Sequence, residues 1–365
     1  MSGKYRHTVR VLVGCMLGCM VMHAPAWSQN KTKEPKPQPP VAADKSGKLV
    51  YSVDAKGDRI PDYSYCGYKA SEQQIPLISV KVTVPVKTGD ATLRIQAALD
   101  YVSSLPIDKS GFRGAVLLNK GTYQIDGSLH IKKSGIVLRG SGMGSDGTVL
   151  LGAGTDRETL IRVFGQDDRQ IAVAGKISDA YVPVNATSFH VAGGKLKVGD
   201  YVQIRRPSTK EWIKFLKTEH FGGGITTLGW KAGERDIIWD RKVTAVSGST
   251  ITVDAPITTA LDTAFGGGLI SSYTWPGRVE NIGIENLRLS SAYNNTNPKD
   301  EAHRWMAITL DDVRDAWVRQ VTFEHFAGSA LFATETSSRV TVQDCKSLAP
   351  VSEIGGYRRN TFLTM

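Results

Sequence analysis

The sequence predicts an all-β chain that winds as a parallel β-solenoid and carries a small inserted β module. Three short segments of one pattern support this prediction, at residues 284–289, 318–323 and 342–347. The first interval exceeds the second by ten positions, which the polar run 291–300 accounts for. A period in the low twenties, with short β-branched stretches between polar turns, is typical of one solenoid coil. Functional side chains are therefore expected to line a groove along stacked coils.

Residues 1–28 are predicted to be a signal peptide. Lys4, Arg6 and Arg10 precede an apolar core at residues 11–22, which is too short to span a bilayer. Two sites suit cleavage by signal peptidase, Ala24-Pro25-Ala26 and Ala26-Trp27-Ser28. We therefore expect export to the periplasm or the extracellular space.

Lipoprotein anchoring at Cys15 is the alternative to simple export, because Leu12-Val13-Gly14-Cys15 resembles a lipobox. Residues 29–50 follow, rich in Lys, Pro, Gln and Ala, and are predicted to be a disordered linker. No later apolar stretch approaches the ~20 residues that a membrane helix needs. No transmembrane segment is therefore expected after the signal peptide.

The formal net charge of +10 is weak support for a polyanionic partner. Removing the signal peptide leaves +7, and the predicted linker holds much of that excess. The region of the later repeats is close to neutral. Nucleic acid is therefore not expected as a partner.

Residues 51–165 are predicted to form an N-terminal cap and the first coils. Asp90 is a candidate N-cap for a helix that ends at Pro106. Its apolar stripe consists of Ile95, Ala98, Leu99 and Val102. Six short β segments follow, at 115–118, 123–125, 129–131, 136–138, 149–151 and 160–163. The coil period extends backward through the nearly even spacing of Val116, Val137 and Ile161.

Residues 166–275 lack the coil period and are predicted to be an inserted antiparallel β module. A Gly-Asp turn leads into a strand within 197–204, and a Ser-Gly-Ser turn centres a hairpin within 242–253. The aromatic residues of this module are Trp212, Phe215, Phe221, Trp230 and Trp239. They are expected either to fill its core or to form a wall on which sugars stack.

Residues 276–365 are predicted to contain the later coils. The last segment, 360–365, is strand-like and has no capping element after it, so we expect either a truncated chain or a second subunit that covers the open end. Cys345 occupies the repeat position of Leu287 and Val321, which favours a core thiol over a disulfide with Cys66.

Residues 89–165 resemble the opening of the pectate-lyase-like superfamily. The matching segments are Gly89-Asp90-Ala91-Thr92, Ile95-Gln96, Ala98-Leu99-Asp100, Gly114-Ala115-Val116, Gly121-Thr122-Tyr123 and the coil from Gly135 to Gly142. The resemblance continues over 278–350 through the repeat alone. It implies a right-handed parallel β-helix with an N-terminal capping helix. This fold hosts lyases, hydrolases, esterases, epimerases and phage spikes, so the resemblance does not name a reaction.

Reactive residues are densest in the last coil and the turn after it. β-Elimination of a uronate polymer needs a cation on the carboxylate, a base for the α-proton and an acid for the leaving oxygen. Arg358 or Arg359 is the candidate carboxylate clamp. The candidate bases are His325 and Lys346, the candidate acid is Tyr357, and Glu353 lies in the same turn. The alternative is that the two arginines pair with Glu353 and Asp344 on a solvated face.

A glycoside hydrolase would instead need two carboxylates, about 5–9.5 Å apart depending on mechanism. Asp311, Asp312 and Asp315 share one loop, and Glu353 is the candidate that joins them across a coil. His303, Arg304 and Trp305 end the long inserted turn and are candidate substrate-binding residues, with Trp305 either stacking on sugar or anchoring the loop.

These patterns together predict an exported protein that acts on a polysaccharide. A lyase that cleaves a uronic-acid-containing glycan is the function expected first. The alternatives are a glycoside hydrolase on the same fold and a non-catalytic glycan-binding or structural protein. No cofactor is identified by the sequence, and Ca²⁺ stays open.

Overall fold

The computed structural model describes residues 39–172, 175–220 and 229–364. The signal-peptide prediction and Phe221 lie outside these ranges. The described chain is mostly β, with two α-helices, α1 (Thr92–Ser104) and α2 (Lys210–Leu216). The strands before the insertion are β1 (Val41–Ala43), β2 (Leu49–Tyr51), β3 (Val80–Val84), β4 (Gly114–Leu118), β5 (Gly121–Ile125), β6 (Leu129–Ile131), β7 (Ile136–Arg139), β8 (Thr148–Gly152) and β9 (Ile161–Phe164).

The remaining strands belong to the insertion and to the later coils. Those of the insertion are β10 (Gln170–Ile171), β11 (Gly175–Ile177), β12 (Tyr181–Val182), β13 (Ser188–Ala192), β14 (Tyr201–Arg206), β15 (Ile237–Ser247), β16 (Thr250–Val253), β17 (Leu261–Asp262) and β18 (Leu269–Thr274). Those of the later coils are β19 (Val279–Ser291), β20 (Met306–Asp311), β21 (Val313–Glu324), β22 (Ser329–Ala333), β23 (Ser338–Gln343), β24 (Lys346–Leu348) and β25 (Asn360–Thr364).

Two parallel sheets form the body of the molecule. The main sheet contains β3, β4, β7, β5, β8, β19, β21, β23 and β24, and the side sheet contains β6, β9, β20, β22 and β25. The chain passes from the main sheet to the side sheet and back in every coil, which is the path of a parallel β-solenoid. The handedness of this winding stays a prediction.

The register of the main sheet confirms the repeat read from the sequence. Ile284 pairs with Val318, and Val318 pairs with Val342, so the matching positions of the three repeats are direct neighbours. The inward column that contains them consists of Val82, Val116, Leu138, Ile284, Val318 and Val342. Complete burial of one such side chain stabilises the fold by about 1.5–3 kcal/mol. The stacked columns are therefore the main source of the solenoid's stability.

The backward extension of this column was wrong by one residue. Val116 pairs with Leu138, not Val137, and Ile161 lies in the side sheet opposite Leu129. A shift of one residue turns a strand side chain to the other face of the sheet. Val137 accordingly packs outside the coil, in a second apolar cluster that includes Trp317.

Bends between the flat sides of the coils recur at equivalent positions of successive repeats. One set of equivalent residues with positive φ comprises Asn281, Asp315 and Arg339. A second set, with the same intervals, comprises Asn286, Gln320 and Asp344. Asn and Asp are enriched among non-glycine residues in this left-handed region. Polar residues with positive φ at these positions therefore form the bends between the flat sides of each coil.

Helix α1 covers the apolar end of the first coil, as predicted. Its four stripe residues are all buried in the solenoid core. The cap differs from the expectation, because Ala91 occupies the N-cap position. Asp90 lies one residue earlier and accepts hydrogen bonds from the Thr92 N–H at 2.9 Å and the Thr92 hydroxyl at 2.6 Å. All six predicted β segments that follow are strands.

The end of the predicted linker is ordered, which corrects the expectation for residues 41–50. Strands β1 and β2 pair there as an antiparallel hairpin. The chain then crosses the outer face of the main sheet, where the Tyr68 ring packs edge-on against Trp317 at 5.0 Å. A Lys69 ammonium 2.8 Å from a carboxylate oxygen of Asp315 fastens this crossing. Local composition did not indicate this ordered segment, because the residues that hold it in place belong to coils distant in sequence.

The insertion is a closed antiparallel barrel of six strands. Its strands follow the order β11, β13, β16, β15, β14 and β18, and β18 returns to β11. The predicted hairpin is β15 and β16, joined at the Ser247–Thr250 pair. Of the module's aromatic residues, Trp239 lies in the barrel core, whereas Trp212 and Trp230 stack on each other at 5.7 Å outside it.

The ladders of the two parallel sheets continue across the insertion. Strand β19 pairs with β7 and β8, and β20 pairs with β9. The chain leaves and re-enters at adjacent points, because the Gln166 N–H donates to the Gly277 carbonyl at 3.0 Å. The barrel is therefore inserted at a single point between two coils, and the strands of those two coils still pair with each other.

The two cysteines in the described part of the chain, Cys66 and Cys345, are free thiols. Cys345 is half-buried against the solenoid core, one residue before the Lys346–Thr322 pair. This places it beside Val321, as the repeat predicts. Burial raises the pKa of the Cys345 thiol.

Candidate functional site

Most of the predicted site residues meet at one corner of the solenoid. This corner is formed by the turn 292–305, which leads from β19 to β20, and the turn 349–359, which leads from β24 to β25. The two turns contact each other directly. The Lys299 ammonium lies 3.1 Å from a Glu353 carboxylate oxygen, and His303 Nε2 lies 3.0 Å from the Val351 carbonyl.

The two arginines predicted as a carboxylate clamp already have partners. Arg358 donates to both carboxylate oxygens of Glu301, and this hydrogen bonding lowers the pKa of Glu301. Arg359 donates to the backbone carbonyl of Ser352. Neither guanidinium is therefore free to receive a substrate carboxylate without giving up an existing contact.

The other two predicted residues of this turn lie at the surface. The Glu353 side chain is exposed and pairs with Lys299 rather than with an arginine. Tyr357 is 67% exposed, and its hydroxyl has no hydrogen-bond partner among the described residues. Tyr357 therefore does not face a base in this structure.

His303 and Arg304 are interior residues, contrary to the expectation that they bind substrate. The His303 ring accepts or donates hydrogen bonds on both sides, with Ser291 Oγ 2.9 Å from Nδ1. Arg304 is fully buried; it donates to an Asp156 carboxylate oxygen at 2.6 Å and to the Gly127 carbonyl at 2.7 Å. Both side chains hold the turn to neighbouring coils, which sequence spacing does not reveal.

Trp305 is half-buried and is covered by cations. The Arg157 guanidinium lies 4.8 Å from the centre of its ring and that of Arg358 lies 5.5 Å away. Both arginines also pair with Glu301. Trp305 therefore anchors the corner through its contacts with these two arginines.

Tyr293 and His325 form a pair beside this corner on the outer face of the main sheet. Their ring centres are 4.8 Å apart, with the planes tilted by 57°. Tyr293 follows β19 by two residues and His325 directly follows β21, with a φ of 69°. His325 is a site residue predicted from the sequence, whereas Tyr293 was not predicted.

Charged side chains flank this pair on the same face. Because Leu287 and Leu289 face the core, strand alternation turns Arg288 and Ser290 outward. Arg288 donates to both Glu324 carboxylate oxygens, at 2.7 and 3.1 Å, and this lowers the pKa of Glu324. The next strand in the register brings Lys346 beside Thr322.

Lys346 is the cation that remains available at this face. Its side chain is exposed and makes no ion pair with any residue the structure describes. Its register partner Thr322 lies on the strand that ends just before His325. Tyr293 and His325 are in contact, and Lys346 lies on the strand paired with the one that ends before His325. We call these three residues the Tyr–His face (Tyr293, His325 and Lys346).

The carboxylates considered for hydrolysis are not brought together as expected. Asp315 is buried and bound to Lys69, while Asp311 accepts hydrogen bonds from the hydroxyls of Thr334 and Thr336. Glu353 lies in the turn that leads into the side sheet, whereas Asp311 and Asp312 lie at the opposite end of β20. The six residues of β20 span about 20 Å. Glu353 therefore cannot complete a carboxylate pair with them.

A polar cleft of about 610 Å³ opens where the barrel joins the coils. Trp275 lies in its wall, with the Arg169 and Arg278 guanidinia 4.4 and 4.5 Å from the ring centre. Its carboxylates include Asp240, which is paired with Arg278 at 2.5 Å, and the exposed Glu335. We call this the junction cleft.

No group of three or more His, Cys, Asp or Glu side chains suited to a metal ion occurs among residues 39–172, 175–220 and 229–364. Within the same ranges, no helix is both long and apolar enough to cross a membrane.

Comparisons with known proteins give only distant structural similarity. No protein-family model and no curated protein matches the chain. Among solved structures, it is similar to the Gp54 tailspike of Acinetobacter baumannii bacteriophage AP22 in complex with capsular saccharide, with 12% identity, a TM-score of 0.36, and coverage of 73% of this chain and 43% of that one.

Two further tailspikes are similar to a comparable degree. The Pseudomonas phage phi297 tailspike gp61 has 13% identity and a TM-score of 0.34, with 74% of this chain and 43% of that one covered. The tailspike gp49 of Pseudomonas phage LKA1 has 15% identity and a TM-score of 0.29, with 74% and 56% covered. The chain thus spans about half the length of the tailspikes to which it is similar.

Proposed function

We propose that this protein is an exported polysaccharide lyase that cleaves a uronate-containing glycan on the Tyr–His face. The observation that carries the proposal is the 4.8 Å contact between the Tyr293 and His325 rings. This contact supports the proposal because an imidazole that acts as general base and a phenol that acts as general acid would then be neighbours. A lyase needs these two groups close together and accessible to a polymer.

The proposed reaction is a β-elimination with no external reactant. The neutral imidazole of His325 removes the proton α to the uronate carboxylate. The electron pair of that C–H bond forms a C=C bond as the C–O bond to the leaving sugar breaks. Tyr293 gives its phenolic proton to the leaving oxygen, so one chain becomes an unsaturated end and a new reducing end.

Lys346 is assigned to the substrate carboxylate. An ammonium beside that carboxylate stabilises the negative charge that develops when the α-proton leaves. Arg288 is held by Glu324 and so contributes positive charge mainly to that pair. The assignment differs from the sequence-based one, which gave the clamp to Arg358 or Arg359 and the acid to Tyr357.

The first experiment measures near-ultraviolet absorbance of the unsaturated product across a panel of uronic polysaccharides. His325→Ala and Tyr293→Phe are expected to lower turnover by about 100-fold or more, since positioned acid–base groups contribute about 10²–10⁴-fold. Lys346→Ala is expected to lower turnover through the carboxylate contact. Tyr357→Phe is the matched control, because it removes an exposed phenol of the same corner, and it should leave turnover unchanged.

Unfolding curves for every variant separate loss of chemistry from loss of fold. If the wild-type protein gives no unsaturated product with any uronic polysaccharide, the lyase proposal is wrong. If His325→Ala stays folded and fully active, the Tyr–His face is not the site. If Arg358→Ala or Arg359→Ala abolishes activity while the substitutions in the Tyr–His face do not, the active site lies in the turn 349–359.

The junction cleft favours glycoside hydrolysis as the second candidate function. It combines Trp275 with carboxylates, including Glu335, which makes no ion pair with a described residue. New reducing ends without ultraviolet absorbance, abolished by Glu335→Gln, would support this function. Binding to a glycan array with neither product would instead indicate a non-catalytic protein.

A further inference from the structure

A second pocket, of about 430 Å³, lies at the C-terminal end of β9 and is lined by cations. Lys132 and Lys133 follow β6, Arg113 precedes β4, and the fourth cation is Arg278. Among the described residues, no carboxylate lines this pocket. We call it the basic pocket; it shares Arg278 with the junction cleft and no residue with the Tyr–His face.

The lysines and Arg113 of the basic pocket are not neutralised by ion pairs within the described part of the chain. The Lys132 ammonium lies over the Phe164 ring at 5.1 Å, and Lys133 likewise has no ion-pair partner there. Arg113 donates to backbone carbonyls, including that of Ser134 at 3.1 Å. Concentrated positive charge without counter-charge attracts an anion into a pocket more strongly than the same charge on an open surface.

Arg278, which lines both this pocket and the junction cleft, has an unsatisfied donor. Its side chain is only 5% exposed, and its Nη atoms donate to Asp240, Tyr273 and Ser338. Its buried Nε has no partner within the described residues. An unsatisfied buried donor is costly, and an oxyanion in the pocket is the kind of group that would satisfy one.

Two acidic side chains close in sequence to the pocket lining accept hydrogen bonds from backbone N–H groups. Asp168 accepts a hydrogen bond from the Gly277 N–H at 2.8 Å, and Asp108 accepts from the Ser110 N–H at 2.8 Å. The positive region continues outward through Arg162, which pairs with His130 in the side sheet. Burial, followed by the charges of Lys132 and Arg162, lowers the pKa of His130.

We propose that the basic pocket binds an oxyanion of an acidic glycan chain, either a carboxylate or a sulfate ester. This site goes beyond the lyase function, because none of its side chains takes part in the elimination. The corner lies at the start of the side-sheet strands and the basic pocket lies at their end. The six residues of β20 span about 20 Å between the two. The basic pocket therefore acts as an anchoring site for the polymer.

The test measures affinity of the full-length mature protein for polygalacturonate, heparin and uncharged dextran at two salt concentrations. The proteins carry His325→Ala so that no polymer is consumed. Adding Lys132→Gln and Lys133→Gln should weaken binding to at least one polyanion by tenfold or more and reduce its salt dependence. Loss confined to polygalacturonate identifies a carboxylate, and loss confined to heparin identifies a sulfate ester.

The matched control carries Lys210→Gln and Lys214→Gln, two exposed lysines of α2 outside the pocket. It removes the same net charge and should change affinity less than twofold. Equal weakening in both double variants would show attraction by bulk charge and overturn the proposal. The proposal is also overturned if neither polyanion binds, or if dextran binds equally well with the same response to the substitutions.

Discussion

Three arginines near the corner have three different environments, although the sequence offers little to distinguish them. Arg304 is fully buried, Arg358 is bidentate on Glu301, and the Arg157 side chain is 61% exposed. Burial decides what each one does. The buried arginine supports the fold, and the other two stabilise a surface cluster around Trp305.

Arg304→Ala is expected to destabilise the protein by about 3 kcal/mol. The substitution leaves a cavity and removes the donors to the Asp126 and Gly127 carbonyls. Urea unfolding measures the change in free energy. Arg157→Ala is the control and should cost less than about 1 kcal/mol, because exposed ion pairs contribute little. Equal effects of the two substitutions would contradict the buried role of Arg304.

Asp312 gives a residue-scale prediction about pH. The side chain is 7% exposed, and burial, together with the charges of Asp311 and Asp167, raises its pKa. A carboxyl with a raised folded-state pKa destabilises the folded state as pH rises from its unfolded towards its folded value. Asp312→Asn should therefore become progressively more stable than wild type as pH rises above the ordinary Asp pKa of about 3.9.

Denaturant unfolding at several pH values tests this difference. A constant gap between Asp312→Asn and wild type above that pH would show that Asp312 does not titrate as proposed. Asn is a suitable replacement because it tolerates the φ of 55° at this position.

Among the elements, α1 illustrates how amphipathic periodicity identifies a buried face. Leu99 is 1% exposed and Leu93 is 80% exposed on the same helix. Leu99→Ala is expected to cost about 3 kcal/mol of unfolding free energy, as large-to-small core substitutions do. Leu93→Ala should change stability by no more than about 0.5 kcal/mol. A small effect of Leu99→Ala in urea unfolding would mean that α1 is not an integral cap.

The short strands of the first coils were located correctly because glycines and apolar runs mark them in the sequence. Their mutual register was less accurate, because the spacing aligned Val137 with Val116, whereas Leu138 is the residue that pairs with Val116. Period-2 alternation is a local property, whereas register depends on the bends between strands. One extra residue at a bend changes the register and leaves the strand itself intact.

For the whole molecule, the insertion point suggests that the coils fold without the barrel. Replacing residues 168–275 by Asn-Gly, which favours a two-residue hairpin turn, should give a protein that still unfolds cooperatively. Its stability should be lower, because Arg278 and Arg339 lose their partners Asp240 and Asp254. Circular dichroism and urea unfolding measure both properties. A variant with no cooperative transition would show that the barrel is required for the solenoid.

The coil period, the inward column of the three later repeats and the capping helix follow from the order of residues alone. Each depends on which side of a strand or helix an apolar side chain occupies, and that information is local. The pairing of Tyr293 with His325, of Arg358 with Glu301 and of Arg304 with Asp156 required the folded chain. These partners come from different coils or turns, and stacking rather than sequence distance brings them together.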